Sequence, residues 1–197
     1  MLRRGSELVV VLIVTLWNQS FQKSIHNTAG PFRVIPRYVT HCPPALQPAQ
    51  PLDFYVRQTR DRHDPDLWYY SGNFTTLFTW TNDHDVDINV ASWSSRGGWK
   101  ENAYIFRVKH YCSAFKTYVP QAWRKIMLAI HGDANADCPW PPGVYHVRNM
   151  STDFRIGALP AFYYGKWRAT LRLMENNYQD TLGCFVAYAD TVPRGGL

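Results

Sequence analysis

Beyond its first fifty residues the chain alternates between apolar and polar positions. In HDVDINVASW, Val86, Ile88 and Val90 fall on one face and Asp85, Asp87 and Asn89 on the other, the pattern of a strand with a dry side and a wet side. SSRGG interrupts the pattern and ENAYIFRVKH resumes it, with Tyr104, Phe106 and Val108 on one face, so the two segments read as neighbours in an antiparallel hairpin. Upstream, LDFYVRQTR sets Phe54 and Val56 against Tyr55 and Arg57. DRHDPD then turns the chain into LWYYSGNFTTLFTW, where Ser71 and Gly72 mark a bend or bulge. Downstream, GVYHVRN precedes KWRATLRLM, in which Trp167, Ala169, Leu171 and Leu173 alternate with Arg168, Thr170 and Arg172. LGCFVAYAD, carrying Phe185, is the last strand.

The period changes once. Cys112, Phe115, Val119, Trp123, Ile126, Met127 and Ile130 recur at spacings of three and four, which predicts an amphipathic helical stripe. Pro120 lacks a donor N–H and crowds the preceding turn, so a bend or two short helices is expected, with Pro120 near the start of the second and Gly132 ending it. About six to eight strands with one short helical segment describe a mainly β chain, an antiparallel β-sandwich carrying a helix at one edge.

The two ends of the chain read differently. Arg3 and Arg4 precede the apolar run Leu8 to Trp17, which has the size of a secretory h-region and is too short to span a bilayer. A leader over 1–22 is expected, cut between Trp17 and Ser24, which makes the protein soluble and secreted with no later membrane span. Residues 23–51 are polar and Pro-rich and read as an extended arm that Cys42 staples to a body at 52–192. In 197 residues, 46% hydrophobic and 18% charged, one domain is expected and disorder is excluded.

The net charge of +6 brings acidic partners into view, but no basic run exceeds two residues, so nucleic acid is not expected. Four cysteines in an oxidising compartment imply two disulfides, with three pairings open; we pair Cys112 with Cys138 and Cys42 with Cys184. Asp83, Asp85 and Asp87 resemble a calcium loop, but Ile88 stands where its glycine is needed and Ser94 where its glutamate is needed. A solvated strand face is the better reading, and no metal or other cofactor is expected. His63 among Asp61, Asp64 and Asp66 reads as a surface turn rather than a general-base loop, and no catalytic motif accompanies the seven scattered histidines, so no enzyme is expected. Asn73 and Asn149 open N-x-S/T sequons and are glycosylation candidates. Aromatic residues at strand spacing form either core or the wall of an apolar pocket.

One part of the chain resembles a known family. WKENAYIFRVKHYC, a helix, DCPWPPGVYHVRNMSTDF and LPAFYYGKWRATLRLM resemble the insect lipid-recognition sandwiches related to the ganglioside-activator proteins, including the chemosensory CheB group. The likeness spans about residues 68–190. Its most specific part is Cys138, Pro139, Pro142, Gly143 and Tyr145, then Pro160 and Gly165-Lys166-Trp167-Arg168 opening a strand. The resemblance implies a bridge from Cys112 to Cys138 and an immunoglobulin-like, cup-shaped sandwich that holds a lipid or pheromone-like hydrocarbon without catalytic residues.

For such a carrier the expected pocket residues are Phe54, Val86, Ile88, Val90, Tyr104, Phe106, Val108, Trp123, Trp167, Leu171, Leu173 and Phe185, with Lys166 or Arg168 at the mouth to select an anionic head. The competing reading is a secreted interaction module with a filled core that acts on an extracellular receptor or channel.

Overall fold

A computed structural model describes residues 28–48, 52–153, 156 and 159–194. The expected leader lies outside them, as does His26. Ten strands and two helices run in the order β1 (Ala29–Gly30), β2 (Phe32–His41), β3 (Asp53–Arg60), β4 (Trp68–Thr76), β5 (Asp85–Ser94), β6 (Gly98–Val108), α1 (Tyr111–Tyr118), α2 (Pro120–His131), β7 (Gly143–Ser151), β8 (Phe162–Tyr163), β9 (Gly165–Met174) and β10 (Thr181–Pro193). They form a five-stranded sheet ordered β2-β10-β9-β5-β6, a three-stranded sheet β3-β4-β7 and the small pair β1-β8. Every pairing is antiparallel. The chain is mainly β, as the alternation predicts.

The hairpin register follows from the alternating faces. Val86 stands opposite Val108, Ile88 opposite Phe106 and Val90 opposite Tyr104, and β9 continues the same rows with Leu173, Leu171 and Ala169. A one-residue slip would put the aspartates of β5 into those apolar rows. In β4 the register with β7 shifts between Tyr70 and Gly72. A Cβ on Gly72 would lie 1.9 Å from the carbonyl oxygen of Tyr55, so only glycine fits this bulge. The helical stripe splits at Pro120, which takes the first turn of α2, and Gly132 ends α2 in the left-handed conformation at φ 73°.

The packed core sits at one end of the sandwich. Met127, Trp123 and Cys112 from the helices meet Trp80, Trp140, Leu52, Val86 and Leu173, all buried. Trp80 and Trp140 exchange backbone hydrogen bonds at 2.8 and 2.9 Å while their rings stack 5.4 Å apart. The disulfide Cys112–Cys138 ties the first turn of α1 to the segment that delivers Trp140. Its partner, Cys42–Cys184, crosses from the end of β2 to β10 and packs with Val186 and Tyr188 as a second, small cluster.

Two expectations are corrected. The segment read as an extended arm contains β2, which pairs with β10 from Phe32 to His41 and belongs to the sandwich. Pro36 disguises it in the sequence. The register with β10 shifts beside Pro36, and β2 is the edge strand of its sheet, where a residue without an N–H is tolerated.

The wet face of β5 is also less wet than expected, since Asp85 and Asp87 are 1% and 7% exposed. The 3-10 turn Asn176–Tyr178 lies against β5, and Asp85 accepts the N–H of Asn177 at 2.9 Å and of His110 at 3.3 Å. Asp87 pairs with Arg172. These carboxylates hold protein donors, and no group of three or more potential metal ligands occurs among the described residues.

Burial holds the His84 imidazole below its ordinary pKa against the opposing pull of Glu175, Asp83 and Asp85, and His84 Nδ1 accepts the Thr81 N–H. Burial lowers His131 as well. On unfolding, both imidazoles regain an affinity for protons near 6.5, so their contribution to stability is full above that pH and is lost as the pH falls through the depressed folded values. Urea unfolding is therefore expected to become easier from about pH 7 to about pH 5, with a shallower dependence in the His84→Gln, His131→Gln double variant. Met127, with 0% exposure at the centre of the core, should cost about 2–5 kcal/mol on substitution by Ala, read from the same urea curves.

Candidate functional site: an apolar cavity

Where the aromatic core ends, a cavity of about 560 Å³ begins. Its near wall is the outer layer of the core itself, Phe74, Phe115 and Ile126. One side is the five-stranded sheet, through Val34, Pro36 and Val39 of β2, Ala169 and Leu171 of β9, and Phe185, Ala187 and Ala189 of β10. The facing side is the three-stranded sheet, through Phe54, Val56, Tyr70, Gly72, Val147 and Met150, completed by Val119 and Ala122 of the helices. The lining carries almost no polar surface, and the volume falls within the roughly 300–1,000 Å³ typical of small-molecule sites.

The space has a cause in the sequence. Inward positions of β9 and β10 that would ordinarily carry Val, Ile or Leu are Ala169, Ala187 and Ala189. Leu171, Phe185 and Ile126 consequently stay half-buried although they point inward, because they face the cavity instead of a neighbour. His41 stacks on Phe54 at 4.1 Å, and Phe54 meets Phe185 edge-on at 6.5 Å. Burial pushes the Tyr70 phenol up to about 12, as a dry wall would.

Among the expected pocket residues, Phe54, Leu171 and Phe185 line this cavity. Val86, Trp123 and Leu173 are in the packed core, with Ile88 against it. Tyr104 and Trp167 form a separate aromatic cluster with Phe162, at ring separations of 5.4 and 4.9 Å to that residue, and Phe106 stacks on Tyr104 at its edge. Val90 and Val108 lie in the β5–β6 rows outside the cavity.

Lys166 and Arg168 are not at the mouth. They alternate with Trp167 and Ala169 and face outward, where Arg168 pairs with Glu101 and lies 5.0 Å over the ring of Trp99. This outer face has its own depression of about 500 Å³ containing Arg168 and Arg172, each already matched by an acidic partner. Of the sequons, Asn149 is exposed, and Asn73 is half-buried on the outward row with Tyr55 and His146.

The charged residue at the cavity wall, among those described, is Lys125. Its ammonium donates to Ser151 Oγ at 2.9 Å and pairs with Asp153, a contact that holds the Asp153 carboxyl below the usual carboxylate range. Helical spacing identifies Lys125 as a polar neighbour of the apolar stripe, but nothing in its own segment tells that β7 would bring Ser151 to it. The alanines were legible as strand residues and carried one further signal, small side chains at successive inward positions of CFVAYAD.

No family model matches the chain, and no curated protein matches it at a significant level.

Because Leu171 already borders open space, truncating it creates little new cavity. Leu171→Ala is expected to cost less than about 1.5 kcal/mol, well below Met127→Ala, when both are unfolded in urea under the same conditions.

Proposed function

We propose that this protein is an extracellular carrier that holds a small apolar molecule, such as a lipid or a pheromone-like hydrocarbon, between its two sheets. The observation that supports the reading is the apolar cavity itself, walled in part by alanines where a filled sandwich would place larger side chains. Burying eight ligand methylenes there would contribute about 6 kcal/mol before the costs of ordering and association. The Leu8 to Trp17 run supports export, as do two disulfides and the lack of a free thiol among the described residues. Among those residues no helix is long and apolar enough to cross a membrane. The resemblance of residues 68–190 to the insect lipid-recognition sandwiches points to the same class of cargo, and to chemosensation as a setting. In this reading the protein is a binding protein and not an enzyme.

A second reading, an interaction module for a receptor or channel, draws support from an outward aromatic row. Tyr38 stacks on Tyr188 at 4.2 Å, Trp99 meets Tyr188 at 5.9 Å and Trp93 meets Trp99 at 5.3 Å, with Tyr38 and Trp93 nearly half exposed. A filled cavity would leave that surface intact.

The test fills the cavity. Ala187→Phe combined with Ala169→Leu adds volume to existing space and should leave urea stability unchanged or raised. Protein secreted from eukaryotic cells is titrated with a fluorescent naphthylamine probe and with fatty-acid competitors. The wild type is expected to bind the probe, and the filled variant to bind it at least about tenfold more weakly. Equal binding by both proteins, or none by the wild type, would sink the carrier reading.

A further inference from the structure

Beside the apolar cavity lies a depression with charged side chains in its wall. It has a volume of about 330 Å³ and shares Val34, Thr152 and Ile156 with the cavity wall, so the two spaces adjoin there. The rest of its lining is Phe32, Leu67 and five charged residues, Arg33, Asp64, Asp66, Asp153 and Arg194. Within it, Arg33 is paired with Asp66, and Asp153 with Lys125, whose stem lines the apolar side. Two charges of opposite sign are left over. Arg194 Nη2 donates only to the Phe32 carbonyl at 3.0 Å, and Asp64 Oδ1 accepts only the Asp66 N–H at 2.9 Å; neither is in an ion pair among the described residues.

We infer that the ligand is an amphiphile with a zwitterionic head of the phosphocholine kind, its chain in the apolar cavity and its head between Arg194 and Asp64. This inference rests on the carrier reading above and adds the class of ligand to it. A bare hydrocarbon would draw on neither charge, and both would stay solvated. A fatty-acid carboxylate would gain from Arg194 but would meet Asp64, Asp66 and Asp153 in the same depression. A head with a phosphate and an ammonium satisfies both free groups at once, while the Arg33–Asp66 and Lys125–Asp153 pairs stay in place as the frame. The six groups, Arg33, Asp64, Asp66, Lys125, Asp153 and Arg194, come from β2, the β3–β4 turn, α2 and the segments after β7 and β10, so the rim is assembled only by the fold.

The experiment compares three tetradecanoyl chains as competitors for the naphthylamine probe on the full secreted protein, each below its micelle concentration: the lysophosphocholine, the free acid and the methyl ester. The lysophosphocholine is expected to displace the probe at roughly five- to tenfold lower concentration than either of the others, the range for exposed charge contacts. Asp64→Asn and Arg194→Gln should each reduce that advantage while leaving displacement by the methyl ester unchanged, and Arg194→Lys should retain it. The unchanged methyl ester reports an intact cavity in each variant, and Asp64→Asn alone decides the matter if Arg194→Gln fails to fold. Equal competition by all three chains, preference for the acid, or an advantage that survives Asp64→Asn overturns the inference but leaves the carrier reading standing. Failure of every chain to displace the probe overturns the carrier reading itself.

Discussion

Two facing sheets normally fill the space between them with their own side chains, and in this protein that filling is confined to one end. The helix pair, held by Cys112–Cys138 and by α2 lying against β7, brings Met127 and Trp123 onto Trp80, Trp140, Val86 and Leu173. That block contains all three buried tryptophans of the described residues, together with Met127 at 0% exposure. The other part of the interior is walled by the same two sheets but with alanines at inward positions of β9 and β10, and it stays open. Dense packing and open space thereby lie in different parts of one sandwich. A large cavity in the middle of a domain this size would be costly, and the dense block is what allows it.

The charged groups follow the same division. On the outer face of the five-stranded sheet, Arg168 and Arg172 are each neutralised by a carboxylate, so they brace strands and present no free charge. In the depression beside the cavity, Arg194 and Asp64 are in no ion pair among the described residues. The contrast gives the depression at the cavity rim its interest over the larger outward one. Volume alone would have ranked them the other way.

Much of the scaffold was legible before any coordinates. The β5–β6 hairpin has the faces its alternation predicts, Gly72 sits at a register shift, and the helical stripe breaks at Pro120 and ends at Gly132. The same reading missed β2, because Pro36 and the prolines that follow resemble a linker until the edge position and the bulge are known. It also left Asp85 and Asp87 in water, because the turn that covers them is about ninety residues away in sequence. Arg168 was placed at a pocket mouth on the strength of its charge, although its alternation with Trp167 and Ala169 already put it on the opposite face.

By itself the sequence determined the period of each segment, the number of thiols and the positions where helix or strand must break. These depend on the covalent backbone and on neighbours within a few residues, which one chain displays in full. Only the tertiary structure decided which inward side chains meet a neighbour and which meet empty space, and which charges find a partner. Those outcomes are set by sums of volume and charge over residues far apart in the chain: Ala169 and Ala187 become a cavity wall only because Phe54, Val56 and Tyr70 of the other sheet stand across the space from them, and Asp64 shares a depression with Arg194 and Thr152 only because the strands carry all three to the same place.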